Sequence, residues 1–372
     1  MKNATLISAL FLAIAWQSCK KEEVPSTTAT GSPVLPATPY AYYDASHSDS
    51  LINHKATLGR VLFYEKRLSL NNSVSCGSCH KQSAGFADNA RFSRGLNNEL
   101  TDRNSMPVMN LPTVLGVFPG IGPGVDLFMT RVFFWDGRER DLRSLVSRPI
   151  ANHIEMGVDD PSSLIPRLQA LPYYPELVKK AFGDEQITLN RLADAVAVFM
   201  ESIQSKNTKF DEYIAQQSKP GILNAQEEAG YQLFLSKYNC SGCHNPFPGE
   251  YNSPEPKNIG LDAYSPDPGM ASITGNAADR GKFKVPILRN IAQTAPYMHD
   301  GRFKTLEEVI DHYSNGIQDS ESLHPLLKNA QGSPLKMTIP DHEKRALIAF
   351  LHALTDYQVL SDPKFSDPFQ SF

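Results

Sequence analysis

The chain has 372 residues, 41% of them hydrophobic and 20% charged, with a formal net charge of -4. That composition excludes a mainly disordered chain, and the slightly acidic balance supplies no broad basic surface for nucleic acid or anionic membranes. Its 27 prolines and 23 glycines are spread along the chain, which favours short helices joined by loops over a repeat array.

Lys2, the apolar run from Ala4 to Trp16 and the following Ser18-Cys19 have the layout of a secretory signal over residues 1–18. The run is too short for a transmembrane helix. Cys19 followed by Lys20, Lys21, Glu22 and Glu23 matches a bacterial lipoprotein signal, although Trp16 stands where that motif prefers Leu. Two outcomes stay open: a lipidated Cys19, or plain secretion with Cys19 removed. Residues 19–45, rich in Ser, Thr, Ala, Gly and Pro, are expected to form a flexible tether, and the expected location is the periplasm with a lipid anchor on Cys19.

Of the five cysteines, four fall in two identical contexts, Cys76-Gly77-Ser78-Cys79-His80 and Cys240-Ser241-Gly242-Cys243-His244. Both spell C-x-x-C-H, the attachment signature of c-type haem. Two thiols three residues apart on a helical turn point the same way, so each can form a thioether with one porphyrin vinyl group. The next residue then offers its imidazole to the iron. One copy alone is also compatible with a redox disulfide or half a zinc site. Two complete copies in an exported chain favour two covalently bound haems, with His80 and His244 as proximal ligands.

Between the motifs, Leu192, Val196, Phe199, Ile203 and Phe210 recur near a helical period, predicting one long helix over Leu189 to Tyr213. Gln217 to Gly221 is a polar break, so the domains are expected at 46–218 and 219–372. Asn224 reads as a helix start and Ala225 to Leu235 as the helix leading into the second motif. Asn245 to Arg280 reads as a loop region, and Thr305 to Tyr313 and Asp341 to Leu354 read as helices. Strand-like alternation is sparse. The expected fold is mainly α, with two cytochrome c-like haem domains, long loops and little strand.

The sequence resembles the bacterial dihaem cytochrome c peroxidase family, including its MauG-like branch, from about Leu58 to about Leu354. The likeness rests on Leu58-Gly59-Arg60, Leu68-Ser69, Arg103-Asn104-Ser105, Phe134-Trp135-Asp136-Gly137-Arg138, Glu155-Met156-Gly157, Lys284-Val285-Pro286, Leu288-Arg289-Asn290 and Pro296-Tyr297-Met298-His299-Asp300-Gly301. It implies that Trp135 lies between the haems and helps electrons pass. Glu155 is then the distal acid/base of the peroxide-reacting first haem, and Pro149 lies in its pocket. Asn110, Thr294 and Pro296 match a calcium site, the last two through backbone oxygen. Tyr313 stands where the peroxidases carry a Met ligand to the second haem and where MauG carries a Tyr. His312 and Met298 are the competing ligands.

Two departures from the family pattern stand out. Leu145 replaces a distal Gln, with His153 a candidate substitute polar group, and no His lies between Arg91 and Arg103, where many relatives place a second axial ligand. The first haem is therefore expected to be five-coordinate when oxidised. The function implied is reduction of hydrogen peroxide to water with electrons from a small periplasmic cytochrome c or cupredoxin. The rivals are a MauG-like oxidation of a protein substrate and a non-enzymatic electron carrier. The family is often dimeric, so a homodimer is also open.

Overall fold

A computed structural model describes residues 50–111, 132–247 and 255–369. The signal segment, the tether and Cys19 lie outside the described residues. In chain order the helices are α1 (Ser50–Tyr64), α2 (Cys76–Cys79), α3 (Leu142–Ala151), α4 (Leu164–Gln169), α5 (Tyr173–Phe182) and α6 (Leu189–Ser202). They are followed by α7 (Lys209–Ala215), α8 (Ala225–Gln232), α9 (Ala271–Thr274), α10 (Leu306–Asp311) and α11 (Asp341–Ala353). Among the described residues, β pairing is limited to isolated bridges, so the architecture is mainly α.

The helices bury two apolar clusters. The first is built from α1, α5 and α6, with Leu58, Leu62, Phe63, Tyr174 and Phe199 at its centre. The second is built from α7, α8, α10 and α11, with Phe210, Tyr231, Leu347 and Phe350 at its centre. Each has a close helix crossing that only glycine permits. A Cβ on Gly59 in α1 would lie 1.9 Å from the Ala195 carbonyl oxygen of α6, and one on Gly230 in α8 would lie 1.9 Å from that of Ala346 in α11. Two backbones this close leave no room for a methyl group. The same device precedes each C-x-x-C-H motif and sets the helix pair against which that motif is held.

The helix expected over Leu189 to Tyr213 is interrupted after Ser202. Thr208 opens α7 with a capping box, its hydroxyl accepting from the Asp211 N–H while the Asp211 carboxylate accepts from the Thr208 N–H. Phe210 and Tyr213 then pack in the second cluster, so the chain crosses over at residues 203–208, ahead of the polar break at Gln217. A buried ion pair holds the crossing, with Arg289 donating to both Asp211 oxygens at 2.8 and 2.6 Å. The end of the chain also joins the first cluster: past Leu354 it returns there, and Val359 and Phe365 are buried. The Tyr64 hydroxyl donates to the Phe365 carbonyl at 2.7 Å, and Arg60 Nε to that of Ser366 at 2.7 Å.

Two π-helical turns continue α8 and α10, at Leu233–Lys237 and His312–Gly316. The first leads into the second C-x-x-C-H motif, and the second carries Tyr313. Such single turns rotate the side chains that follow them, which is why they collect at sites.

Candidate functional site

At the first motif, α2 presents Cys76 and Cys79 on one helical turn. Burial pushes their thiols up to about 12 and about 11, which keeps the sulfurs uncharged. His80 Nδ1 lies 3.0 Å from the Phe86 carbonyl oxygen. A neutral imidazole donates Nδ1–H there and keeps Nε2 for a metal, and burial lowers the His80 pKa in the direction that keeps the ring neutral.

Glu155 lies close enough for its charge to act on both thiols. Its carboxyl is raised above the usual carboxylate range, first by burial, with Arg138 and the Asn152 hydrogen bond partly offsetting that and Asp102 adding to it. Asn152 Nδ2 donates to Glu155 Oε1 at 2.9 Å, and the Asn152 carbonyl accepts from the N–H groups of Glu155, Met156 and Gly157 at 3.1, 3.0 and 2.8 Å. One residue thus shapes the turn and aims the acid. Arg138 sits 3.8 Å over the Phe134 ring and donates to Asp136 at 2.7 Å. Pro149 lies in α3, with its carbonyl accepting from Asn152, and Leu145 on the same helix packs against the first cluster. His153 is exposed, which corrects its expected part as a polar group beside Glu155. The turn directs residue 152 inward and residue 153 outward.

The second motif lines a cavity of about 220 Å³ together with Met298, Lys284 and Tyr313. His244 Nδ1 lies 3.0 Å from the Pro286 carbonyl oxygen, repeating the arrangement at His80, and burial lowers its pKa to about 4. Burial raises Cys240 to about 12 and raises Cys243 as well. The Tyr313 phenol is buried and pushed up, chiefly by desolvation and further by the Cys240 and Cys243 sulfurs beside it. His312 turns away, its Nε2 lying 3.0 Å from the Ile259 carbonyl oxygen. Tyr313 and Met298 are therefore the two expected ligands that face this cavity. Lys284 lines it too, half-buried, with its amine lowered to about 8 by desolvation. At both motifs the donor set of paired neutral thiols and an oriented neutral imidazole fits c-type haem.

Trp135 lines the cavity of the second motif. Its Nε1 donates to the Asn104 carbonyl at 2.8 Å, the Lys284 N–H donates to the Trp135 carbonyl at 2.7 Å, and its ring stands edge-on to His299 at 6.5 Å. His299 stacks on Phe283 at 3.7 Å. Arg103 clamps the junction, binding Asp136 at 2.5 Å and both Asp267 oxygens at 2.7 and 2.8 Å. Of the residues matched to a calcium site, Thr294 lies against Gly85, as does Met109 beside Asn110, and Asn110 Oδ1 accepts from the Ser205 N–H at 2.7 Å.

The sequence reading missed Asn152 and the clamp role of Arg103. The Asn152-x-x-Glu155 spacing was the available signal, since a side chain three residues ahead can reach back across a tight turn.

Comparison with known proteins agrees with this geometry. Residues 53–219 match the family model described as di-haem cytochrome c peroxidase. The chain is 36% identical to the cytochrome c551 peroxidase of Nitrosomonas europaea over 69% of its length and 71% of that protein. It is 32% identical to the methylamine utilization protein MauG of Methylorubrum extorquens, covering 82% of this chain and 80% of that one. Among solved structures, a MauG-like protein associated with microbial copper homeostasis superposes with a TM-score of 0.70 at 29% identity, over 91% of this chain and 98% of that one.

Proposed function

The chain belongs to the di-haem cytochrome c peroxidase family and is a peroxidase-type oxidoreductase, and we propose from this that it reduces hydrogen peroxide to water at the first C-x-x-C-H motif. One peroxide, two electrons and two protons give two waters. The observation that carries the proposal is Glu155, a sheltered carboxyl aimed by Asn152 beside Cys76 and Cys79. Cys76, Cys79 and His80 would hold the haem, which would supply the redox-active iron for peroxide reduction. Glu155 takes the proton from the near peroxide oxygen and delivers it to the leaving one. Asn152 keeps the carboxyl pointed, and Pro149 and Leu145 form the apolar wall.

Trp135 carries electrons between this site and the second haem, held by Cys240, Cys243, His244 and Tyr313. The donor is a small cytochrome c or cupredoxin in the periplasm, making a small, transient contact. A lipid on Cys19, a calcium ion at Asn110, Thr294 and Pro296, and a homodimer complete the reading.

The test is anaerobic peroxide consumption by protein carrying two haems per chain, with a reduced small cytochrome c as donor and electron paramagnetic resonance of the oxidised state. Turnover and a high-spin ferric signal from the first haem are expected. Absence of turnover with both cytochrome and cupredoxin donors, or only low-spin iron, refutes the proposal. The placement of Tyr313 in the second cavity favours one alternative, MauG-like oxidation of residues in a protein substrate. Under it, Tyr313→Met changes the spectrum of the second haem and abolishes its response to one equivalent of peroxide. An unchanged response removes that reading.

A further inference from the structure

Three short segments, paired side by side, carry the basic residues of the second cavity. The Lys257 N–H donates to the Phe283 carbonyl at 2.8 Å and the Phe283 N–H returns a bond at 3.0 Å, which pairs Lys257 with Phe283, the residue before Lys284. The His324 N–H donates to the Asn258 carbonyl at 3.0 Å and brings His324 to the other side of Lys257. Lys257 Nζ then lies 3.1 Å from His324 Nε2. The polar contact of Lys284 Nζ is a long 3.5 Å approach to the neighbouring Val285 carbonyl.

All three side chains line the cavity of Cys240, Cys243 and His244, and no Asp or Glu is among the described residues lining it. Glu255, the carboxylate that acts on His324, is exposed and does not line the cavity. Lys257 is only 9% exposed. Ammonium groups buried in an apolar wall without a counter-charge are costly, and an anion reaching them removes that cost. A porphyrin fixed by its vinyl groups through two thioethers carries two propionate carboxylates on its other edge.

We propose that Lys257, Lys284 and His324 form the receptor for the propionate carboxylates of the haem attached at Cys240 and Cys243. The inference rests on reading that motif as a haem site. Its consequence is electrostatic: each ammonium offsets a propionate charge, disfavours ferric iron and raises the reduction potential of the second haem. The basic wall thus tunes the group that receives electrons from the donor.

The experiment uses the full-length holoprotein and the variants Lys257→Gln, Lys284→Gln, Lys257→Arg and Lys284→Arg. Haem content is read first by alkaline pyridine absorption. Fewer than two haems per chain in the wild type overturns the attachment reading and this one with it. With two haems present, the potential of the second haem is measured by spectroelectrochemistry and its propionate bending bands by resonance Raman. Each Gln variant is expected to shift the potential negative, raising the oxidised-to-reduced ratio at fixed potential on the order of tenfold. That is the effect of one charge at roughly 10 Å in a medium of effective dielectric about 20. The Arg variants are expected to stay close to wild type. In the wild type the propionate bands are expected to move in deuterium oxide, because exchangeable donors hold them, and this readout stands even if a Gln variant does not fold. Unmoved bands, or Gln variants with unchanged potentials, overturn the proposal. So does a wild-type potential that follows inorganic phosphate at constant ionic strength, which would place a free anion at the lysines.

Discussion

Glu155→Gln isolates the proton step, because the amide keeps the size of the acid and still accepts from Asn152 while losing the ability to take a proton. A positioned acid/base contributes about 10²–10⁴-fold in rate, or about 3–5 kcal/mol of barrier. The variant is therefore expected to lose between about a hundredfold and ten-thousandfold in kcat, with both haems attached and the high-spin signal of the first haem retained. The pH dependence gives a second, independent readout. Burial raises the Glu155 carboxyl, and the charged form is the active base, so the acid limb of kcat/KM is expected above the ordinary carboxylate range, with activity rising as pH rises through it. Asn152→Ala removes a hydrogen bond that favours the charged form, and Arg138→Gln removes a favourable charge, so both are expected to move the limb to higher pH. Stopped-flow peroxide loss across a pH series, with reduced donor in excess, measures all three. A Glu155→Gln enzyme within tenfold of wild type, or an acid limb that moves down in Asn152→Ala, would refute the reasoning.

Gly230→Ala places a Cβ 1.9 Å from the Ala346 carbonyl oxygen, where backbone cannot yield without separating α8 from α11. A loss of about 1–3 kcal/mol is expected by denaturant melts, and unchanged stability would mean that the crossing is looser than described. Phe365→Ala removes a buried ring that lies edge-on to Phe86 at 6.3 Å, and is expected to cost about 3–5 kcal/mol. A loss below 1 kcal/mol would show that the returning tail does not support the first cluster. Asp211→Asn breaks the buried pair with Arg289 and is expected to cost about 3–5 kcal/mol at neutral pH. Burial alone would raise the Asp211 carboxyl, but Arg289 and the Thr208 bonds more than offset it and hold it below the usual range. Its stabilisation is thus present above the unfolded carboxylate pKa and is lost as pH falls through the depressed folded value. Acid melts should show the wild type losing its advantage over Asp211→Asn in that window, and a constant difference would contradict the assignment.

The haem sites were legible in the sequence because attachment is local chemistry: two thiols and an imidazole within five residues carry their own geometry. Helices α8, α10 and α11 were legible for a similar reason, since period and caps act over a few residues, whereas α1 was not predicted. The capping box at Thr208 and Asp211 was equally local, yet the continuing apolar period from Leu192 to Phe210 masked it. Which side of a turn faces inward is not a local property. Asn152 turns toward Glu155 while His153 faces solvent, because the backbone of three later residues closes on the Asn152 carbonyl. The return of Phe365 to the first cluster, the Arg103 clamp on Asp136 and Asp267, and the wall of Lys257, Lys284 and His324 all join residues far apart in the chain. No periodicity encodes such pairs. Sequence alone marked the two C-x-x-C-H motifs, and tertiary packing decided what surrounds them, because desolvation and charge depend on neighbours that only the folded chain brings within range.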